Sequence, residues 1–105
     1  MIININFRHN THLDGLKSLI IHQISKLNRF ASTITQVRVV FSKTSHRKKS
    51  EQLIQCHILL HAAVKININI YEYKSTPISA FNSAYERIVN TLSRIKQDIG
   101  LPHKI

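Results

Sequence analysis

Acidic residues are scarce in this chain, with five against 15 lysines and arginines. Asp14, Glu51, Glu72, Glu86 and Asp98 are scattered, and no two are spaced for acid–base work. Glycine occurs only at Gly15 and Gly100, which excludes a glycine-rich phosphate loop. Cysteine occurs once, at Cys56, so no internal disulfide can form and a reducing compartment fits. Cys56 alternates with apolar neighbours, which makes it a small core residue rather than an exposed, low-pKa nucleophile. No apolar run approaches the ~20 residues of a membrane span. The N-terminus lacks a charged region, an apolar block and a cleavage site in succession, so no signal peptide is expected. A cytoplasmic protein without a membrane partner is the expectation.

What the chain does have is charge and periodicity. A formal charge of +10 on 105 residues points to a polyanion, either nucleic acid or an anionic membrane. The bland alternative is a basic protein that is merely soluble. The hydrophobic share of 43% is enough for one packed core, so residues 1–105 read as a single domain. Its core spans about 2–99, with a short tail over 100–105.

Apolar residues recur with two periods. Ile3, Ile5 and Phe7 alternate with Asn4 and Asn6, as in a strand with one apolar face. From Thr11 to Phe30, residues Leu13, Leu16, Ile20, Ile24, Leu27 and Ala31 share a helical face, with Leu19 and Phe30 at its margin. Ser18, His22, Ser25, Lys26 and Arg29 lie opposite. Thr11 is placed to cap this helix, and Asp14 adds a favourable charge at its start. Val37, Val39 and Phe41 form the inner face of a second strand, with Arg38, Val40 and Ser42 outside. The stretch Lys43–Ser50 has four cations and no apolar residue, so it reads as a solvated loop. A third strand runs from about Glu51 to His61, with Ile54, Cys56, Ile58 and Leu60 inside and Gln55, His57, Leu59 and His61 outside. A tight turn is expected at His61–Val64. In the fourth strand Ile66, Ile68 and Ile70 alternate with Lys65, Asn67, Asn69 and Tyr71, and Tyr73–Thr76 forms a loop. Thr76 and Pro77 suit the cap and first turn of a second helix ending near Ile99. Phe81, Ala84, Tyr85, Ile88, Leu92, Ile95 and Ile99 share its apolar face, with Ser83, Arg87, Asn90 and Arg94 opposite.

The order is β-α-β-β-β-α in an α+β fold. Four strands in one sheet with two helices packed on one face bury every stripe.

Enzyme chemistry finds little footing. His57 and His61 would share a helix face, but on a strand they stand ~13 Å apart, too far for one ion. His9 and His12 could approach each other, yet as polar or phosphate-facing imidazoles they need no metal. The enzyme reading left is a small metal- or histidine-dependent nuclease, and no spacing supports it. No cofactor is expected. The cations come from several elements and few acids neutralise them locally, which suits salt-dependent phosphate contacts. Phe7, Phe30, Phe41, Phe81 and Tyr85 are assigned to the core by periodicity. That argues against stacking of single-stranded bases and favours a folded RNA read by shape and backbone.

The succession Ile3-Asn4-Ile5, Arg8-His9, Lys26-Leu27-Asn28-Arg29-Phe30, Val37/Val39/Phe41, Ala80-Phe81-Asn82 and Glu86-Arg87-Ile88 resembles the short ribosome hibernation promoting factors, also called ribosome-associated translation inhibitors. The resemblance implies a fold similar to a double-stranded RNA-binding domain. It implies binding to the small ribosomal subunit and its ribosomal RNA, also within whole ribosomes, near the decoding channel. There the protein would block messenger and transfer RNA and inhibit translation in stationary phase, as a stress response. It would be a monomer off the ribosome and not an enzyme. Carried over by position, the rRNA contacts fall on Lys26, Arg29, Arg87 and Arg94, with Arg8 and His9. Lys17, His22 and Lys96 add cationic or imidazole groups on the helices, and Arg47, Lys48 and Lys49 add them in the loop. Thr76-Pro77-Ile78, Phe7 and the basic 43–50 loop depart from the usual pattern, and the last helical turns, with Arg94 and Lys96, are less basic than is typical. Some contacts are therefore expected to move from the helix end to the loop. The alternative is a double-stranded RNA-binding module acting off the ribosome.

Overall fold

The computed structural model describes residues 1–8, 14–29, 34–45, 52–62 and 65–100. Strand β1 (Ile2–Phe7) leads to helix α1 (Asp14–Ser25), which continues as a 3-10 turn over Lys26–Arg29. Strands β2 (Ile34–Ser45), β3 (Gln52–Ala62) and β4 (Ile66–Lys74) follow, and helix α2 (Pro77–Gly100) closes the order. The β-α-β-β-β-α arrangement expected from periodicity is the one observed.

The strands form one mixed sheet in the order β1-β2-β3-β4. β1 runs parallel to β2, because α1 carries the chain back to the starting end of the sheet before β2 begins. The other pairs are antiparallel. Register aligns the apolar residues in rows. Ile5 pairs with Val39, Val39 with Ile58, and Ile58 with Ile70. One residue out of register would turn every one of these side chains to the other face, so burial of this face specifies the pairing.

Both helices cover the same face. Leu16, Ile20, Ile24 and Leu27 from the first helical segment join Phe81, Ala84, Ile88 and Leu92 of α2 in one core with Val37, Val39, Phe41, Ile58 and Leu60. Cys56 is part of that core, as its alternation predicted. Phe7 stacks on Phe41 with ring centroids 5.2 Å apart, which ties the edge strand to its neighbour.

Four boundaries differ from the sequence reading. The first helix is α-helical only to Ser25, and Lys26 and Arg29 lie on the tighter 3-10 turn. A 3-10 turn is a common way for a helix to end. Lys43, Thr44 and Ser45 are strand rather than loop, because they pair with Ile54, Leu53 and Gln52. β4 likewise runs on through Tyr73 and Lys74, paired with Gln55 and Ile54. Ladder pairing overrides composition at these ends. The β3–β4 turn falls later than expected, since Ala62 still pairs with Ile66 and Lys65 takes φ 55°. That is the left-handed region, which the chain enters here without a glycine. The first-helix cap Thr11, with Leu13, Phe30 and Ala31, lies outside the described residues. The second cap is as expected: the backbone N–H of Ser79 donates to Thr76 Oγ1 at 3.2 Å.

Phe81 has no exposed surface and sits where α2 meets the sheet. Replacing it with alanine is expected to cost about 3–5 kcal/mol through lost burial and a cavity, read as a lower urea midpoint with an unchanged m-value.

Candidate nucleic-acid interface

Amphipathic patterning fixes which cations reach solvent. With the apolar stripes turned to the sheet, Lys17 and His22 stand exposed on α1, and Lys26 and Arg29 on the 3-10 turn. Arg87 and Arg94 stand exposed on α2, seven residues apart, about 10 Å along one side of the helix. Arg8 is exposed at the end of β1, where its backbone N–H extends the ladder to the Phe41 carbonyl at 2.8 Å. Lys96 lies within α2, but its side chain is not among those described, and His9, Arg47, Lys48 and Lys49 lie outside the described residues.

The tertiary structure brings two of these elements together. Burial pushes the Tyr85 phenol on α2 upward, and the positive charge of Arg29 acts against that rise. Arg29 is therefore close enough to α2 for its field to be felt there. Leu27 of the 3-10 turn shares one core with Phe81 and Ile88 of α2, although the two segments are far apart in sequence. Lysine and arginine side chains so placed can contact phosphates by charge-assisted hydrogen bonds.

Arg87 has a second task. Its Nη1 donates to Glu72 Oε2 at 2.7 Å and to the Tyr71 carbonyl at 3.0 Å. It thus pins α2 to β4, while its side chain remains 52% exposed. An ion pair this open to solvent contributes about 1 kcal/mol or less. Glu72 lies opposite Cys56 in the ladder, and it is the less exposed partner of the pair. The spacing of Arg87 on its helix gave no sign of this contact, because it depends on how α2 crosses β4.

Among the described residues no helix covers the sheet's other face. Arg38 lies between Asn4 and Leu59, and Asn69 completes that row. The next row is Asn6, Val40, His57 and Tyr71, and beside it Ser42, Gln55 and Tyr73. His57 and Tyr71 stack with centroids 4.2 Å apart and rings 8° from parallel. His57 Nε2 donates to Asn69 Oδ1 at 2.8 Å, and His61 Nδ1 bonds Asn67 Oδ1. Ser42 Oγ donates to Gln55 Oε1 at 3.1 Å, and Gln55 Nε2 donates to the Tyr73 hydroxyl at 2.9 Å. His57 and His61 are thus each paired with an asparagine of β4. Among the described residues no three histidine, cysteine, aspartate or glutamate side chains converge to hold a metal ion.

The profile of the Sigma 54 modulation protein / S30EA ribosomal protein family matches residues 3–99. The chain belongs to that family. Its members are ribosome-associated modulation and hibernation proteins rather than enzymes. The resemblance to ribosome hibernation factors therefore holds over almost the whole sequence. No curated protein sequence matches. Among solved structures, the N-terminal domain of Protein Y from Thermus thermophilus superposes with a TM-score of 0.72 at 17% identity, covering 90% of this chain and 99% of that one. A ribosomal subunit interface protein from Coxiella burnetii superposes with a TM-score of 0.77 at 11% identity, covering 91% and 98%. At such identities these likenesses speak for the fold alone.

The core position of Cys56 has a chemical consequence. Burial, reinforced by the negative charge of Glu72, pushes its thiol up to about 12. Since the thiolate is the reactive form, the native protein should resist a disulfide reagent such as DTNB at pH 8 and release one thiol only on unfolding. Prompt stoichiometric release from native protein would contradict the buried placement.

Proposed function

We propose that this protein is a cytoplasmic ribosome hibernation factor. It binds the small ribosomal subunit near the decoding channel, through ribosomal RNA, and sterically excludes messenger and transfer RNA. Translation is thereby inhibited and idle ribosomes are kept through stationary phase. The supporting observation is the set of exposed cations on the 3-10 turn and α2 of a chain that belongs to a ribosome-associated family. The mechanism needs no bond-making: a rigid domain neutralises phosphates on one side and occupies space.

Such binding follows counterion release, so it weakens as salt rises. Sedimentation through sucrose at moderate salt tests it. The chain should travel with small subunits and whole ribosomes and slow an in vitro translation reaction. A protein left at the top of the gradient would end the proposal, and displacement by a plain RNA duplex would mark a general double-stranded RNA binder instead.

Lys26 and Arg29 are exposed on the 3-10 turn, so reversing both to glutamate should leave the fold intact, read as a retained cooperative unfolding transition. Ribosome binding should fall sharply, and the log–log salt slope should flatten by about two. Arg94→Gln should weaken binding without touching stability. Arg87→Gln should lower both, because it also releases Glu72.

A further inference from the structure

The helix-free face of the sheet carries chemistry that the steric mechanism does not use. Tyr71 and Tyr73 are 46% and 48% exposed, the largest aromatic surfaces among the described residues. His57 stacks on Tyr71 from β3, so the two rings form a rigid aromatic step. Gln55 holds the Tyr73 hydroxyl, which fixes that ring while leaving much of it open. Val40 is only 9% exposed, yet it lies on this face and outside the core. Half-buried Leu59, next to it, gives the surface a second apolar spot. Asparagine and glutamine amides flank these residues on every strand. Arg38 is exposed near the centre, and among the described residues the face has no carboxylate.

We propose that this open face is a second RNA-binding surface, which takes an unpaired RNA segment by stacking bases against Tyr71 and Tyr73 and holding its backbone at Arg38. Three properties choose the occupant. An acid-free surface with a central arginine attracts a polyanion and repels a second copy of the same face. Exposed rings fixed by neighbours offer stacking partners, which serve unpaired bases and have nothing to meet on a duplex whose bases are already stacked. Rows of amides supply donors and acceptors for base edges. A four-stranded sheet is about 14 Å across, room for one strand of RNA. The occupant is taken as RNA because the chain belongs to a ribosome-associated family, and to that extent the inference rests on the function proposed above. The two surfaces lie on opposite sides of the sheet, so one domain could engage RNA on both.

The test uses the whole chain and a fluorescein-labelled single-stranded RNA of about ten nucleotides, with an RNA hairpin as control, followed by anisotropy. The single strand should bind more tightly than the hairpin and quench tyrosine fluorescence, since two of the three tyrosines stand on this face. Tyr71→Ala and Tyr73→Ala should each weaken binding by about five- to a hundredfold, while Tyr71→Phe keeps it. Arg38→Gln should lower the salt slope by about one. Lys26→Gln combined with Arg29→Gln should retain the oligonucleotide while losing ribosomes in the gradient, which separates this surface from the helix-side one. The proposal is overturned if Tyr71→Ala binds like the parent, if only helix amides shift in NMR titration, or if the face instead binds an acidic peptide or pairs two copies.

Discussion

Burial of one sheet face specifies nearly everything else in this molecule. Phe41, Ile58 and Phe81 have no accessible surface, and they come from β2, β3 and α2. Most apolar residues of the four strands point to one side, so both helices must lie there to cover them. Alternation then sends every second residue to the side that, among the described residues, no helix covers. One constraint thus yields two opposed surfaces. The outward sides of the helix layer carry cations, and the uncovered sheet face carries amides and rings.

Charge acquires different meanings on these surfaces. Lys26 and Arg29 are displayed on a short turn at the end of the first helix, and the charge of Arg29 is felt at Tyr85 of α2. Arg87 is displayed too, but it also holds Glu72 and the Tyr71 carbonyl. A cation of the same type on the same helix therefore has a structural share that Arg94 is not seen to have. Low identity among proteins of this fold is consistent with such a division. The sheet and its stripes tolerate many apolar exchanges provided volume and pattern persist, whereas surface groups are free to change.

Periodicity carried the fold. Alternation at Ile66–Ile70 and the 3.6-residue stripe through Phe81, Ile88 and Leu92 are local signals that burial enforces. Element ends were less legible. Lys43–Ser45 look like loop because they are polar and open a run of cations, yet their backbones continue a ladder that their partners already form. Lys65 entered the left-handed region without any turn residue to announce it. The site was legible in part. Which helix cations face solvent follows from the stripe alone, and the loop cations fall outside the described residues.

The sequence by itself determined the element order, the inward face of each strand and the charge that calls for a polyanion, because each depends on neighbours a few residues apart. Tertiary structure alone decided that β1 lies parallel beside β2, that the charge of Arg29 acts on Tyr85, and that Arg87 closes on Glu72. It also decided that Tyr71 meets His57 and Tyr73 meets Gln55 across strands. Counting aromatics along the chain hid this group, since most of them belong to the core and the remaining tyrosines looked incidental. Strand pairing gathers them on one face, and pairing is a relation between distant residues that no local pattern encodes.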